Sequence, residues 1–271
     1  MNIFIATVIL LGVAGGFAGV LLAISSRVFA VKIDPRIAEI EEILPGVNCG
    51  GCGNPSCYMY AKRIVEEGAP PSQCVADLNC AEKIGGVLGI EVTSQIPLIA
   101  AIRCYGGSTS QVKFDYGGYP ACRFAILMDG GDSRCRYSCM GFGDCVRVCP
   151  FDALSRDGRN TPVVDLQKCT GCGNCVKECP KNLIIIMPLI SRPHIACNTC
   201  EKGKTVREIC QIGCITCGKC VKVCPDKAIE MVDNRPVIDY KKCTNCGTCI
   251  ENCPRKIIRD MIPAQQIKAA V

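Results

Sequence analysis

The sequence predicts an α+β chain of small cysteine-bound modules behind one N-terminal membrane helix, and three observations carry the prediction. The 271 residues include 26 cysteines but no tryptophan and only seven phenylalanines, too few bulky side chains for large apolar cores. The cysteines recur in short runs at two-residue gaps, each ending in Cys-Pro. The stretch Ile3 to Ile24 holds no charged residue.

The clearest run is CTGCGNCVKECP, from Cys169 to Pro180. Three cysteines at two-residue gaps and a fourth before proline match the loop that wraps a [4Fe–4S] cubane, with the fourth thiolate serving a neighbouring cluster, so such runs come in pairs. They do here. By the crossed rule, Cys169, Cys172 and Cys175 join Cys149. A second, regular pair gives Cys214, Cys217 and Cys220 with Cys253, and Cys243, Cys246 and Cys249 with Cys224.

The remaining run is altered. Cys139 and Cys145 pair with Cys179, but Phe142 stands where a second cysteine belongs. Cys135, four residues before Cys139, is the expected replacement. The alternative is a three-cysteine [3Fe–4S] site with Cys135 idle. Around the cysteines the sequence repeats itself: TPVVDLQKC at 161–169 returns as RPVIDYKKC at 235–243, which implies a duplicated ferredoxin-like module of short strands and helices. The two copies are placed at 134–190 and, with the C-terminal tail, 213–271, joined by a connector at 191–212.

Upstream, Asp34 and Pro35 read as N-cap and first residue of a helix carrying Ile37, Ile40, Ile43 and Leu44, stopped by Pro45 and Gly46. Cys49, Cys52, Cys57 and Cys74 follow, with a helix expected from Tyr58 to Glu67 ended by Gly68. These four cysteines suit one further cubane, although four thiolates also make a structural zinc set. This domain and the linker after it, Leu78 to Gln95, occupy 32–95. Residues 96–133 are expected to form a small antiparallel connector with a strand at Pro97 to Arg103.

Twenty cysteines thus serve five cubanes, and six remain. Cys104, Cys122, Cys197 and Cys210 are expected to hold a sixth cluster, against the plainer reading of buried, inert thiols; Cys80 and Cys200 are left over. His194, the sole histidine, is expected in a loop. A disulfide framework fits such repeated runs poorly, and a zinc ribbon needs two pairs per ion rather than three cysteines in one tight loop.

As a helix, Ile3 to Ile24 spans about 33 Å, enough to cross a bilayer. Arg27 and Lys32 follow it, which places the remainder on the cytoplasmic side of a cell (inner) membrane as a single-pass protein. A cleaved signal peptide would instead export thiolate clusters into an oxidising compartment. Gly15 and Gly19 would permit a tight contact with a partner helix, though glycine is common in membrane helices. The net charge of +6 suggests nucleic acid only until the clusters are counted, since five cubanes at about −2 each bring the chain to roughly −4. No basic block with interleaved aromatics is present, so no nucleic-acid partner is expected. No GxGxxG opens a helix and no nucleophile stands by a histidine, so the chain moves electrons rather than making bonds.

The order of parts, with AspProArg at 34–36 and LeuProGlyValAsnCysGlyGlyCysGly at 44–53, resembles the B subunit of the Rnf complex, the ion-translocating ferredoxin:NAD oxidoreductase, in its long form with two ferredoxin pairs. The resemblance implies a translocase subunit that accepts electrons from soluble ferredoxin and passes them through at least five [4Fe–4S] clusters. It implies other membrane and flavin-bearing Rnf subunits as partners, which reduce NAD and pump Na⁺ or H⁺. A wiring subunit of another membrane oxidoreductase, such as a hydrogenase, is the alternative within electron transfer, and an oxygen-sensing regulatory module the alternative outside it.

Overall fold

The computed structural model describes residues 3–29, 34–92 and 96–261. Lys32, the end of the expected linker at 93–95 and the tail from 262 onward lie outside the described residues. Helix α1 (Ile3–Val28) buries none of its side chains and is long and apolar enough to cross a membrane. Nothing lies within 4 Å of a Cβ built on Gly15 or Gly19.

The first soluble domain is helical. Asp34 accepts the Arg36 N–H at 2.9 Å and caps α2 (Pro35–Ile43). Ser56 caps α3 (Cys57–Glu67), which ends on Gly68 at φ 69°. Ile37 and Ile40 pack against Tyr60 and Ile64, and the Tyr60 hydroxyl donates to Pro70 O at 2.7 Å while accepting the Gln73 N–H at 3.0 Å. The stretch expected as a linker belongs to this core. It forms α4 (Cys80–Leu88), whose Cys80 and Ile84, one helical turn apart, are both fully buried.

The remainder is a structure repeated twice. In the first copy, β1 (Leu98–Ile102) precedes α5 (Cys122–Ala125), α6 (Asp144–Arg147), the hairpin β2 (Leu154–Arg156) and β3 (Pro162–Val164), α7 (Asn174–Glu178) and β4 (Ile184–Pro188). In the second, β5 (Pro193–Ile195) precedes α8 (Gly203–Ile209), α9 (Lys219–Val223), the hairpin β6 (Ile229–Val232) and β7 (Arg235–Ile238), α10 (Thr248–Glu251) and β8 (Ile258–Asp260). In each copy the last strand returns antiparallel to the first. Leu98↔Pro188 runs to Ile102↔Ile184, and Pro193↔Asp260 to Ile195↔Ile258. The expected antiparallel connector at 96–133 has one antiparallel bridge of its own, between Val112 and Ser133. Its strand completes the first module, because its backbone partner lies beyond the cluster runs.

Alternation along β1 fits this role: Ile99 and Ala101 pack with Met187, whereas Ala100 turns to Leu154, Cys175 and Ile184. The strand lies so close to a cluster loop that a Cβ on Gly171, already at φ +69°, would stand 2.7 Å from Leu98 Cβ. The two copies meet along their first strands. Cys104 and Cys197 form an antiparallel bridge, and the Tyr105 ring lies between the guanidiniums of Arg159 and Arg259, each 3.8 Å from its centroid. His194 is not in a loop. It is a β5 residue, 2% exposed, and its Nε2 lies 2.7 Å from Ile102 O across this junction.

Candidate iron–sulfur centres

All 26 cysteines are free thiols. Cys49, Cys52, Cys57 and Cys74 line one cavity of the first domain. Asn48 Oδ1 accepts the Cys57 N–H at 2.7 Å, fixing the loop to the start of α3, and Arg63 holds Asn54, whose amide points at Cys52 Sγ from 3.5 Å. Cys80 stands behind this set. Its thiol donates to Asp77 O at 2.9 Å, and its proximity holds the Cys74 thiol below its ordinary pKa.

In both modules the structure brings cysteines from the two runs together. Cys149 joins Cys169, Cys172 and Cys175 around one cavity, and Cys224 joins Cys243, Cys246 and Cys249 around another. Cys214, Cys217, Cys220 and Cys253 also act on one another electrostatically. The reason lies in the backbone: each loop curls through left-handed residues, Gly171 and Gly173 in one run and Thr216 and Gly218 in another. The Cys-Pro thiols receive N–H donors from four residues on, Ala153 to Cys149 at 3.4 Å, Leu183 to Cys179 at 3.4 Å and Ala228 to Cys224 at 3.3 Å.

Two expected assignments exchange a residue. The altered run draws its fourth thiol from Cys122, not Cys135: Cys122, Cys139, Cys145 and Cys179 line one cavity. Phe142 packs edge-on against Tyr116, 5.4 Å between centroids. Cys135 instead joins Cys104, Cys197 and Cys210 around a second cavity. The cause is local. Cys122 opens α5, whose N-terminal amides are held by the buried Asp144 carboxylate of the altered loop itself, while Cys135 faces the opposite way, into a core with Val206, Ile209 and Cys210. The signal was in the spacing: Cys135 precedes Cys139 by the interval at which Cys210 precedes Cys214. Cys104 and Cys197 each follow a module's first strand. This central set thus takes two equivalent thiols from each copy. Cys200 stays outside the six sets.

These sets fit a cluster better than a single ion. Among the described residues no three His, Cys, Asp or Glu side chains converge on a mononuclear site, whereas four thiols ring each cavity. Burial, reinforced by neighbouring thiols, pushes Cys135 up to about 11 and Cys145, Cys175 and Cys197 each up to about 12. Ionising such thiols together needs a cationic metal centre among them.

A family model for an Fe-S cluster domain matches residues 44–76, and one for a 4Fe-4S dicluster domain matches 134–183 and 213–257. The chain is 41% identical, over 90% of its length and 87% of the relative's, to the B subunit of the proton-translocating ferredoxin:NAD(+) oxidoreductase complex of Clostridium ljungdahlii. It is 40% identical to the B subunit of the Na(+)-translocating ferredoxin:NAD(+) oxidoreductase complex of Acetobacterium woodii, over 90% of this chain and 74% of that one. Against the B subunit of the ion-translocating oxidoreductase complex of Methanosarcina acetivorans the identity is 39%, over 89% and 92%. The chain belongs to the family of Rnf B subunits. As an Rnf B subunit it is an iron–sulfur electron-transfer component of an ion-translocating oxidoreductase, and α1 makes it membrane-associated.

In this Rnf protein the thiol sets touch in succession. A Cβ on Gly51 would lie 3.0 Å from Cys172 Cα, so the first domain's loop rests on the first module. Helices α6 and α7, which carry the ligands of that module's two sets, pack together, as α9 and α10 do in the second. Between modules, the Cys139 N–H donates to Cys104 Sγ at 3.2 Å and the Cys214 N–H to Cys197 Sγ at 3.3 Å.

Proposed function

We propose that this chain accepts electrons from reduced soluble ferredoxin and conducts them through six [4Fe–4S] clusters to flavin-bearing and membrane partner subunits, which reduce NAD and move Na⁺ or H⁺. Cubanes held by thiolates supply one-electron carriers at low potential. The twenty cysteines of the five expected clusters all serve; Cys122 takes the place of Cys135 in the altered set, and Cys135 joins Cys104, Cys197 and Cys210 in a sixth. The observation that carries the reading is the unbroken contact between successive sets, from the Cys49 set beside the membrane helix in sequence to the Cys246 set at the far end. Cys217 and Cys246, in the distal module, are the exposed ligands, which suits a docking face for ferredoxin there. The chain's own residues hold the thiols, exclude water from the central set and direct N–H groups at sulfur, which raises the potential of the cluster so bonded.

The iron–sulfur domains face the cytoplasm in this reading, supported by Arg27 at the end of α1 and by the need of thiolate clusters for a reducing compartment. Anaerobically purified protein should contain about 24 iron atoms with matching sulfide, and reduced ferredoxin should reduce it rapidly without any other subunit. Reduction by dithionite but not by ferredoxin would assign docking to another subunit and overturn the reading.

A further inference from the structure

Lys181 follows Cys179 and Pro180, and its side chain turns inward. Its Nζ is shielded from solvent and has no hydrogen-bond partner among the described residues. It lies over Gly131, where a Cβ would stand 3.4 Å from Nζ, and lines the cavity of the Cys122, Cys139, Cys145 and Cys179 set. Burial pulls its pKa down, and the thiols of Cys135, Cys104 and Cys139 with the Asp132 carboxylate pull it back up. The Cys139 N–H donates to Cys104 Sγ at 3.2 Å, so the set whose cavity Lys181 lines adjoins the central set.

A buried ammonium without hydrogen bonds is strongly disfavoured unless fixed negative charge surrounds it. Cubanes with four thiolates provide that charge, about −2 when oxidised and about −3 after accepting one electron. The internal repeat supplies an independent comparison. Arg255 follows Cys253 and Pro254 as Lys181 follows Cys179 and Pro180, and it also reaches towards the central set. Its guanidinium, however, donates to the carbonyls of Cys210 at 3.1 Å, Gly213 at 3.2 Å and Gln211. Both copies thus bring a cation to the junction. Arg255 spends its donors on the backbone, whereas Lys181 leaves its charge uncommitted to any protein acceptor.

We propose that Lys181 is a positioned cation that raises the reduction potentials of the central cluster and of the Cys139-bound cluster beside it. Each of the two clusters gains one electron and one negative charge on reduction, and the ammonium favours that state through a low-dielectric interior. The junction between modules becomes the point to which electrons fall from either neighbour. This rests on the reading that both thiol sets hold cubanes.

The test is a potentiometric titration of anaerobic, full-length protein followed by electron paramagnetic resonance, with iron counted on the same samples. Lys181→Met should keep the wild-type iron content, yet reduction of two clusters should become about tenfold less favourable, a fall of about 59 mV for a one-electron couple. Lys181→Arg should restore the wild-type potentials. Unchanged potentials in Lys181→Met at full iron content would overturn the proposal. So would loss of four iron atoms in both Lys181→Met and Lys181→Gln with retention in Lys181→Arg, which would assign the cation to cluster assembly. A wild-type content of about 20 iron atoms would instead refute the six-cluster reading, and the shift would then be read on the Cys139-bound cluster alone.

Discussion

The Asp144 carboxylate accepts the Cys122 backbone N–H at 2.8 Å. Asp144 belongs to the loop that lacks its second cysteine, and Cys122 is the residue that makes good the loss, so the altered loop itself positions its substitute ligand. Arg147 pairs with the same carboxylate. Asp144→Ala removes the anchor of α5 and leaves its first amides without an acceptor, a loss on the order of 1–2 kcal/mol for an N-cap. The expected outcome is a chain short of one cluster, with iron falling from about 24 to about 20 atoms. Asp144→Asn, which keeps an acceptor, should retain more iron than Asp144→Ala in the same assay.

Cys122 and Cys135 line different cavities, and iron analysis separates this from one shared site. Cys122→Ser and Cys135→Ser should each remove one cluster, about four iron atoms. The double variant should lose about eight, because sites without shared partners add. A loss of four in the double variant would return both cysteines to one site.

His194 gives stability a pH dependence of predictable sign. Burial holds its pKa below the ordinary value, the nearby Arg103 adds to the effect, and the Ile102 carbonyl only partly opposes them. Below pH of about 6.5 the unfolded chain binds a proton that the folded chain refuses, so stability falls as pH drops from about 6.5 towards the folded pKa and is unaffected above. The slope cannot exceed about 1.4 kcal/mol per pH unit. Anaerobic denaturant unfolding between pH 7.5 and 5.5 should show it, and His194→Gln should flatten it.

Gly51 marks the contact between the first domain and the first module. A Cβ there would fall 2.5 Å from Val75 Cγ2 and 3.0 Å from the Cys172 backbone, and the second atom cannot move without shifting a ligand loop. Gly51→Ala should keep all clusters but loosen this contact. Faster amide exchange around Val75 and slower electron arrival at the first domain's cluster, followed by rapid-freeze resonance spectroscopy, are the expected results.

Much of the architecture was legible because local chemistry dictates it. Asp34 with Pro35 and Gly68 marked helix ends, and the repeated cysteine runs marked three of the six thiol sets and the N-terminal four-cysteine pattern a fourth. What escaped depends on partners far along the chain. The alternation at Leu98 to Ile102 signals a strand, but nothing nearby says that Pro188 is its partner. Cys135 is nearer Cys139 in sequence than Cys122 is, yet chain distance does not decide which way a side chain faces; Asp144 and the core around Val206 decide it. The glycines at 85, 86 and 89 suggested a linker, whereas burial of Ile84 makes the segment part of a core.

The central set also imposes an order on biosynthesis. Its thiols come in equal numbers from the two copies of the repeat, and Cys210 is the last of them to leave the ribosome. The first domain and the first module have all their own ligands by Cys179, so both can be metallated on the nascent chain while the second module is still being translated. The junction cannot close until both copies are present and docked. On the six-cluster proposal, a chain truncated or misfolded in its second half would have the proximal carriers but no through-connection.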